Sequence, residues 1–316
     1  MPDTILPVAA PPHPLRLGTR ASPLAMAQAV EARERLCAAH GWPLESVEIV
    51  SVTASGDKIL DRPLADIGGK ALWTKELDLW LYEKSIDFAV HSLKDVETIR
   101  PDWLTIAAVL PREDKRDGLV GAPSIAALPH GARLGTSAPR RAAQALHHRP
   151  DITIVPFRGN VATRLGKLAA GEADATLLAM AGLNRLGQAD VAHGLDPQDW
   201  LPAPGQGAIA IECRADDGAT RALLSAIDHA DSRNAVLAER ALLAALGGTC
   251  HSAIGVLTGQ DAQGWHLSAS LFGPDGAERT DGATRFRPED HAPITALARD
   301  MLARAPAAIA SLFDPA

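Results

Sequence analysis

Residues 133–186 read RLGTSAPRRAAQALHHRPDITIVPFRGNVATRLGKLAAGEADATLLAMAGLNRL, and this stretch decides the fold. Short apolar runs at 133–135, 152–156 and 175–178 alternate with longer amphipathic runs at 140–147, 161–170 and 179–186. The short runs, bounded by turn residues, read as strands; the longer ones, with 3.6-residue spacing, read as helices. Such alternation predicts a parallel sheet with helices on its faces. Two arginine-bearing strings lie where a strand hands over to a helix. They are Gly135-Thr136-Ser137-Ala138-Pro139-Arg140-Arg141 and Arg158-Gly159-Asn160-Val161-Ala162-Thr163-Arg164, with Arg185 close behind.

The chain of 316 residues carries a formal net charge of -7 at pH 7, so this positive charge is local. A helix start offers unpaired N–H groups and a partial positive charge. Guanidinium forks added there make a site for carboxylates or phosphates. A nucleic-acid module is disfavoured, because the chain is acidic and lacks interleaved aromatic and basic residues.

Outward from the middle, both flanks are also structured. Strands are expected at 15–19, 47–52, 88–91 and 104–110, with helices at 23–40 (capped by Ser22) and 75–83. The segment 53–73, with Ser55-Gly56-Asp57 and Gly68-Gly69-Lys70, reads as a long functional or mobile loop. Charged residues 112–117 and the Pro-rich segment 201–207 bracket the middle region as two breaks. The buried-looking strand 208–213 is expected to return to the first domain. A helix at 232–246 stops at Gly247-Gly248, and the remainder reads as a small α+β unit. The three cysteines, Cys37, Cys213 and Cys250, are far apart and fit a reducing compartment. Residues 1–14 read as a disordered tail rather than a secretory signal. No apolar run is long enough to span a bilayer. A cytoplasmic protein is expected.

Open α/β sheets bind ligands beyond the carboxyl ends of their strands, which favours a cleft between the first two domains. Asp95, beside Lys94, reads either as a capping surface carboxylate or as an ionised group serving a cationic centre. Cys250, in Gly247-Gly248-Thr249-Cys250-His251, reads either as an accessible reactive thiol or as a plain surface cysteine. Trp73 reads as core or as the face of a lid, and Gly205-Gln206-Gly207 as a tight turn or a backbone N–H site. Lys70 does not complete a phosphate-binding loop, because Ala71 stands where Ser or Thr is required. No metal-ligand spacing appears. A non-catalytic binder of small carboxylates on the same two-lobed cleft also explains the arginines and breaks.

Taken together, the strings resemble the porphobilinogen deaminase (hydroxymethylbilane synthase) family. They run from Gly18-Thr19-Arg20-Ala21-Ser22-Pro23-Leu24-Ala25 through Ile67-Gly68-Gly69-Lys70 and Ala89-Val90-His91-Ser92-Leu93-Lys94-Asp95-Val96. The two arginine strings, Ala181-Gly182-Leu183-x-Arg185-Leu186-Gly187, Pro204-Gly205-Gln206-Gly207-Ala208 and Cys250 follow in the family's order.

The resemblance implies two periplasmic-binding-protein-like α/β domains joined by hinge strands, plus a smaller C-terminal α+β domain. The implied division is 1–110 with 208–228, then 111–207, then 229–316. It implies a transferase that joins four porphobilinogen units head to tail, releasing ammonia each time, on a dipyrromethane primer held by a thioether to Cys250. Asp95 matches the catalytic acid of the family. Arg20, Arg140, Arg141, Arg158, Arg164 and Arg185 match positions that bind the acetate and propionate arms. Ser22, Ser92, Lys94, Thr136, Ser137, Gln206 and Gly207 match lesser contacts, and Lys70 and Trp73 the lid. The implied partners are porphobilinogen and the growing oligopyrrole, with a monomer and no metal, nucleic acid or membrane expected. Departures from the pattern are Ala138-Pro139 for Ser-Leu, Glu97 for a frequent Pro, Asn184 for a common Lys, Asp66 where some relatives carry Lys, and His251-Ser252-Ala253 after the cysteine.

Overall fold

A computed structural model describes residues 10–52, 74–249 and 252–314. The expected loop 53–73 with Asp66, Lys70 and Trp73, residues 1–9 of the expected tail, and Cys250 with His251 lie outside the described residues.

The first sheet is built from β1 (Leu15–Arg20), β2 (Val47–Val52), β3 (Phe88–Ser92), β4 (Leu104–Val109) and β10 (Ile209–Arg214), in the order β2-β1-β3-β10-β4. The helices α1 (Pro23–His40), α2 (Lys75–Tyr82) and α6 (Gly218–Leu224) belong to this part of the chain. Ser22 caps α1 by accepting the Ala25 N–H at 3.3 Å, and Pro23 occupies the tolerated first turn. The second sheet joins β5 (Asp117–Val120), β6 (Arg133–Gly135), β7 (Thr153–Val155), β8 (Ala175–Ala179) and β9 (His193–Gly194), in the order β7-β6-β8-β5-β9. Its helices are α3 (Pro139–His148), α4 (Val161–Ala169) and α5 (Met180–Arg185).

The two sheets share one layout. β1 runs parallel to β2 and β3 while β10 is antiparallel to β3; β6 runs parallel to β7 and β8 while β5 is antiparallel to β8. Each antiparallel strand is fed by chain arriving from the other lobe: β5 after residues 110–116, β10 after residues 201–208. The middle sheet is therefore mixed, not wholly parallel as the alternation suggested. Asp117 and Gly118 look like the end of a charged break, yet their backbones pair with β8.

The third unit is an antiparallel sheet, β11 (Ile254–Asp261), β12 (Gly264–Phe272) and β13 (Arg279–Phe286), covered by α7 (Ala230–Ala245) and α8 (Ala292–Arg304). A short α9 (Ala307–Ala310) follows. Each unit buries its own apolar cluster: Leu36, Phe88 and Ile211 in the first, Leu134, Leu177 and Trp200 in the second, Leu242, Val256 and Met301 in the third. A fully buried side chain of this size contributes about 1.5–3 kcal/mol.

The two crossing segments are pinned to the third unit. Glu239 on α7 is fully buried and takes a forked ion pair from Arg112 at 2.7 and 3.0 Å. It also accepts the Gly205 N–H at 2.7 Å. Lys115 reaches the Thr258 carbonyl at 2.8 Å, and the Val256 N–H reaches the Pro202 carbonyl at 2.8 Å. Gly207 has a φ of +84°, and a Cβ there would lie 2.5 Å from the Glu113 carbonyl oxygen, so the crossings approach too closely for any other residue.

Beneath the end of β3, Arg100 bonds Asp78 at 2.6 Å, Glu97 at 2.7 Å and Glu212 at 3.0 Å. His91 is buried with Nε2 3.3 Å from Glu212 Oε2. Burial, then the Arg100 guanidinium, pushes its imidazole down from 6.5 to about 4.

Removing Arg112 strands a buried carboxylate, so Arg112→Ala should lose about 3–5 kcal/mol of stability, read as a lower urea midpoint. The His91 value also sets a pH dependence. Its folded pKa lies below its unfolded one, so between pH 6.5 and about 4 the unfolded chain binds the extra proton. The stability it contributes is complete above that window and falls by roughly 3 kcal/mol on descending through it. The His91 imidazole resonances should titrate near pH 4 by NMR, and His91→Gln should flatten the slope of stability against pH.

Candidate functional site

The parallel strands of both sheets end toward the same group of residues. β1 ends in Arg20 and leads to Ser22, both half-buried. β3 ends in Ser92, and a single 3₁₀ turn, Leu93–Asp95, presents Lys94 and Asp95. Ser92 Oγ donates to Gln28 Oε1 on α1 at 3.0 Å, so a buried glutamine that the sequence reading missed fixes this hydroxyl.

From the second sheet, β6 leads into buried Thr136, exposed Ser137 and then Arg140 and Arg141 in the first turn of α3. Ala138 is the N-cap of α3 and forms no side-chain cap bond; its own N–H instead donates to Thr136 Oγ1 at 3.2 Å. β7 leads to half-buried Arg158. Asn160 caps α4 by accepting the Thr163 N–H at 2.9 Å, and Arg164 Nε donates to the Gly159 carbonyl at 3.0 Å.

Among the described residues that act on one another here, cations outnumber carboxylates. Burial pushes the Lys94 ammonium down, Asp95 opposes this, and Arg141 and Arg164 act with burial. Burial and the Arg141 guanidinium push Arg164 down to about 10, with Asp95 opposing and Arg158 adding to the fall. Asp95 therefore lies in the field of Lys94 and Arg164, while Arg141 and Arg158 stand close enough to disfavour further positive charge. A half-buried cluster with excess cations fits a ligand that carries several carboxylates.

Arg140 and Arg141 are not solvated surface arginines: each is 5% exposed, and both turn onto fully buried Asp117. Arg140 Nη2 lies 2.8 Å from Oδ2, and Arg141 Nη2 lies 2.7 Å from Oδ1. Trp200 Nε1 and Gln206 Nε2 complete the set, each at 2.8 Å. Burial alone would raise the Asp117 pKa, but the two guanidiniums hold it well below the usual carboxylate range. Gln206 is buried with its amide committed to Asp117 and the Lys115 carbonyl. The backbone N–H groups of Gly205, Gln206 and Ala208 are all taken within the protein. Arg185 spans the lobes, bonding Glu31 of α1 at 3.1 Å and the Gly207 carbonyl at 3.3 Å.

The third unit steadies the turn that carries Asp95. Arg240 on α7 donates to the carbonyls of Glu97 at 2.7 Å and Thr98 at 3.0 Å, and Thr98 Oγ1 donates to the Gly248 carbonyl at 3.1 Å. Two departures from the family pattern now have partners. Glu97 accepts from the Thr74 hydroxyl at 2.9 Å and from Arg100, and Asn184 donates to Glu113 Oε1 at 2.8 Å. Asp117, Gln28, Glu31 and Arg240 escaped the sequence reading, because nothing local marks a buried partner supplied by a distant segment.

Among the described residues, no group of three or more His, Cys, Asp or Glu side chains is placed to hold a metal, and no helix is long and apolar enough to cross a membrane. Residues 15–222 match the family model described as porphobilinogen deaminase, dipyromethane cofactor binding domain, and residues 234–302 match its C-terminal domain. The chain is 56% identical over 312 residues to the porphobilinogen deaminase of Sphingopyxis alaskensis, covering 97% of this chain and 98% of that one. It is 49% identical to that of Paracoccus denitrificans, covering 94% and 96%. It is 47% identical to the chloroplastic porphobilinogen deaminase of Oryza sativa subsp. japonica, covering 83% and 75%. Cation-rich strand ends around one half-buried aspartate suit the acid-bearing pyrroles such enzymes handle, and this chain belongs to the porphobilinogen deaminase family, transferases that condense porphobilinogen into a linear tetrapyrrole on a dipyrromethane cofactor.

Proposed function

We propose that Asp95 is the catalytic carboxylate and that the facing cations hold the carboxylate arms of cofactor and substrate. The single observation that carries this is electrostatic: among the described residues Lys94, Arg141 and Arg164 act on one junction where Asp95 is half-buried and Asp117 fully buried. Arg20, Arg140 and Arg185 extend the grip to further arms. Ser22, Ser92, Thr136 and Ser137, together with Gln206 and Gly207 on the second crossing segment, are the proposed lesser contacts, and Lys70 and Trp73 are assigned to the lid. When bound, the dipyrromethane supplies the pyrrole carbon to which the first substrate is joined.

The residues of the chain divide the work. Guanidinium forks fix the acetate and propionate arms in register, which removes orientational freedom before the reaction. Ammonia leaves the substrate once its amine is protonated, and positive charge then develops on the pyrrole. The Asp95 carboxylate supports that charge through the pyrrole N–H and helps take the proton lost on coupling. A fixed carboxylate where charge develops favours the transition state over the ground state.

Cys250 is the proposed thioether anchor. Gly248, two residues before it, is bonded to Thr98, three residues after Asp95. This bond ties Gly248 to the segment that follows Asp95. The proposed division of the chain is 1–110 with 208–228, 111–207, and 229–316. A cytoplasmic monomer is proposed; the free, buried thiols of Cys37 and Cys213 suit a reducing compartment.

Intact-mass spectrometry tests the anchor. The native protein should exceed its polypeptide mass by one dipyrromethane, and Cys250→Ser should lose that increment; persistence of the added mass would move the attachment elsewhere. Steady-state kinetics tests Asp95. Asp95→Asn should still load cofactor and bind substrate, yet lose about 3–4 kcal/mol of transition-state stabilisation, roughly 10²–10³ in kcat. Near-native turnover would exclude Asp95 from the chemistry.

A further inference from the structure

We propose that Asp117 is a positioning residue for this reaction: its buried carboxylate aims Arg140 and Arg141 at the carboxylate arms of the pyrrole chain. The proposal rests on the reading of these arginines given above and adds the residue that makes them competent.

Asp117 is fully buried at the start of β5, directly after the first crossing segment. Its two oxygens accept from four side chains. Oδ1 takes Arg141 Nη2 at 2.7 Å, Arg141 Nε at 3.2 Å and Gln206 Nε2 at 2.8 Å. Oδ2 takes Arg140 Nη2 at 2.8 Å and Trp200 Nε1 at 2.8 Å. Each guanidinium is held a second time by a backbone carbonyl: Arg140 Nη1 on Leu201 at 2.8 Å and Arg141 Nη1 on Leu177 at 2.9 Å. Both planes are thus fixed by two points, and the remaining N–H groups of each fork make no hydrogen bond to a described residue.

The stoichiometry separates this node from an ordinary structural pair. Arg112 and Glu239 match one to one inside the protein. Here one carboxylate serves two guanidiniums, and with Lys94, Arg164 and Asp95 included four cations stand against two carboxylates among these described residues. A buried excess cation calls for an anion from outside. Without Asp117, two guanidiniums side by side would repel and swing apart, and their forks would no longer match a carboxylate. The crossing segment reaches the same carboxylate through Gln206, so the aim of the arginines is tied to the relation of the lobes.

The test is a set of variants assayed per cofactor-loaded chain, with loading read by intact mass. Asp117→Asn keeps the shape and removes the charge; it should raise KM for porphobilinogen at least roughly tenfold with kcat little changed, the signature of lost uniform binding. Arg141→Lys should raise KM as well. In the combined variant the two effects should not multiply, because one acts through the other. Trp200→Phe removes a bond to Asp117 but leaves both arginines on it, and should lower the thermal midpoint without moving KM. Should Asp117→Asn not fold, Asp117→Glu retains the charge in a shifted place and should raise KM about threefold, again absent in the Arg141→Lys background. A native KM in the Asp117 variants, multiplying effects in the combined variant, or an equal KM rise in Trp200→Phe would each overturn the positioning role. A native KM in Arg141→Lys would instead remove the arginine reading on which it rests.

Discussion

Glu239 accepts from both segments that cross between the lobes, from inside the third unit, with no exposure to water. A buried carboxylate is expensive to desolvate and survives only with full pairing. Arg112 supplies the charge and Gly205 an N–H, so the two crossings cannot separate from α7 without uncovering that carboxylate. Both lobes, and the strand ends they bring together, take their relation from this clamp. Lys115 on Thr258 and Val256 on Pro202 extend it along β11.

Two aspartates near the cleft show how environment divides one residue type into two roles. Asp117 is surrounded by donors and stays ionised as a buried counter-ion. Asp95 sits on a 3₁₀ turn, half-buried, in the field of cations that outnumber it. The first is enclosed by the guanidiniums of Arg140 and Arg141, and the second keeps part of its surface open. The segment after Asp95 is braced by Arg240 and by the Gly248 carbonyl, so the third unit supports this turn as well as the crossing segments.

Much of this was legible in residue patterns. The strand–helix alternation in 133–186 and the Ser22 cap follow from local rules, and the structure carries them within a residue or two. β5 and β13 were missed for physical reasons. Asp117 and Gly118 are poor strand formers, held in β5 by pairing with β8. Arg279–Phe286 is largely polar and becomes a strand by pairing with β12. The short helix Gly218–Leu224 escaped notice too, being seven residues long and capped by Asp217 after a turn.

By itself the sequence determined the element types, the family and the chemical types at the site, because helix period, capping and motif spacing are local properties of the chain. It named six arginines without distinguishing their surroundings. Only the tertiary structure decided that Arg140 and Arg141 share buried Asp117, that Arg185 spans the lobes to Glu31, and that Arg164 lies in the field of Asp95 and of other cations. The reason is electrostatic: the state of a charged group depends on burial and on partners tens of residues away, and neither is written in its neighbours along the chain.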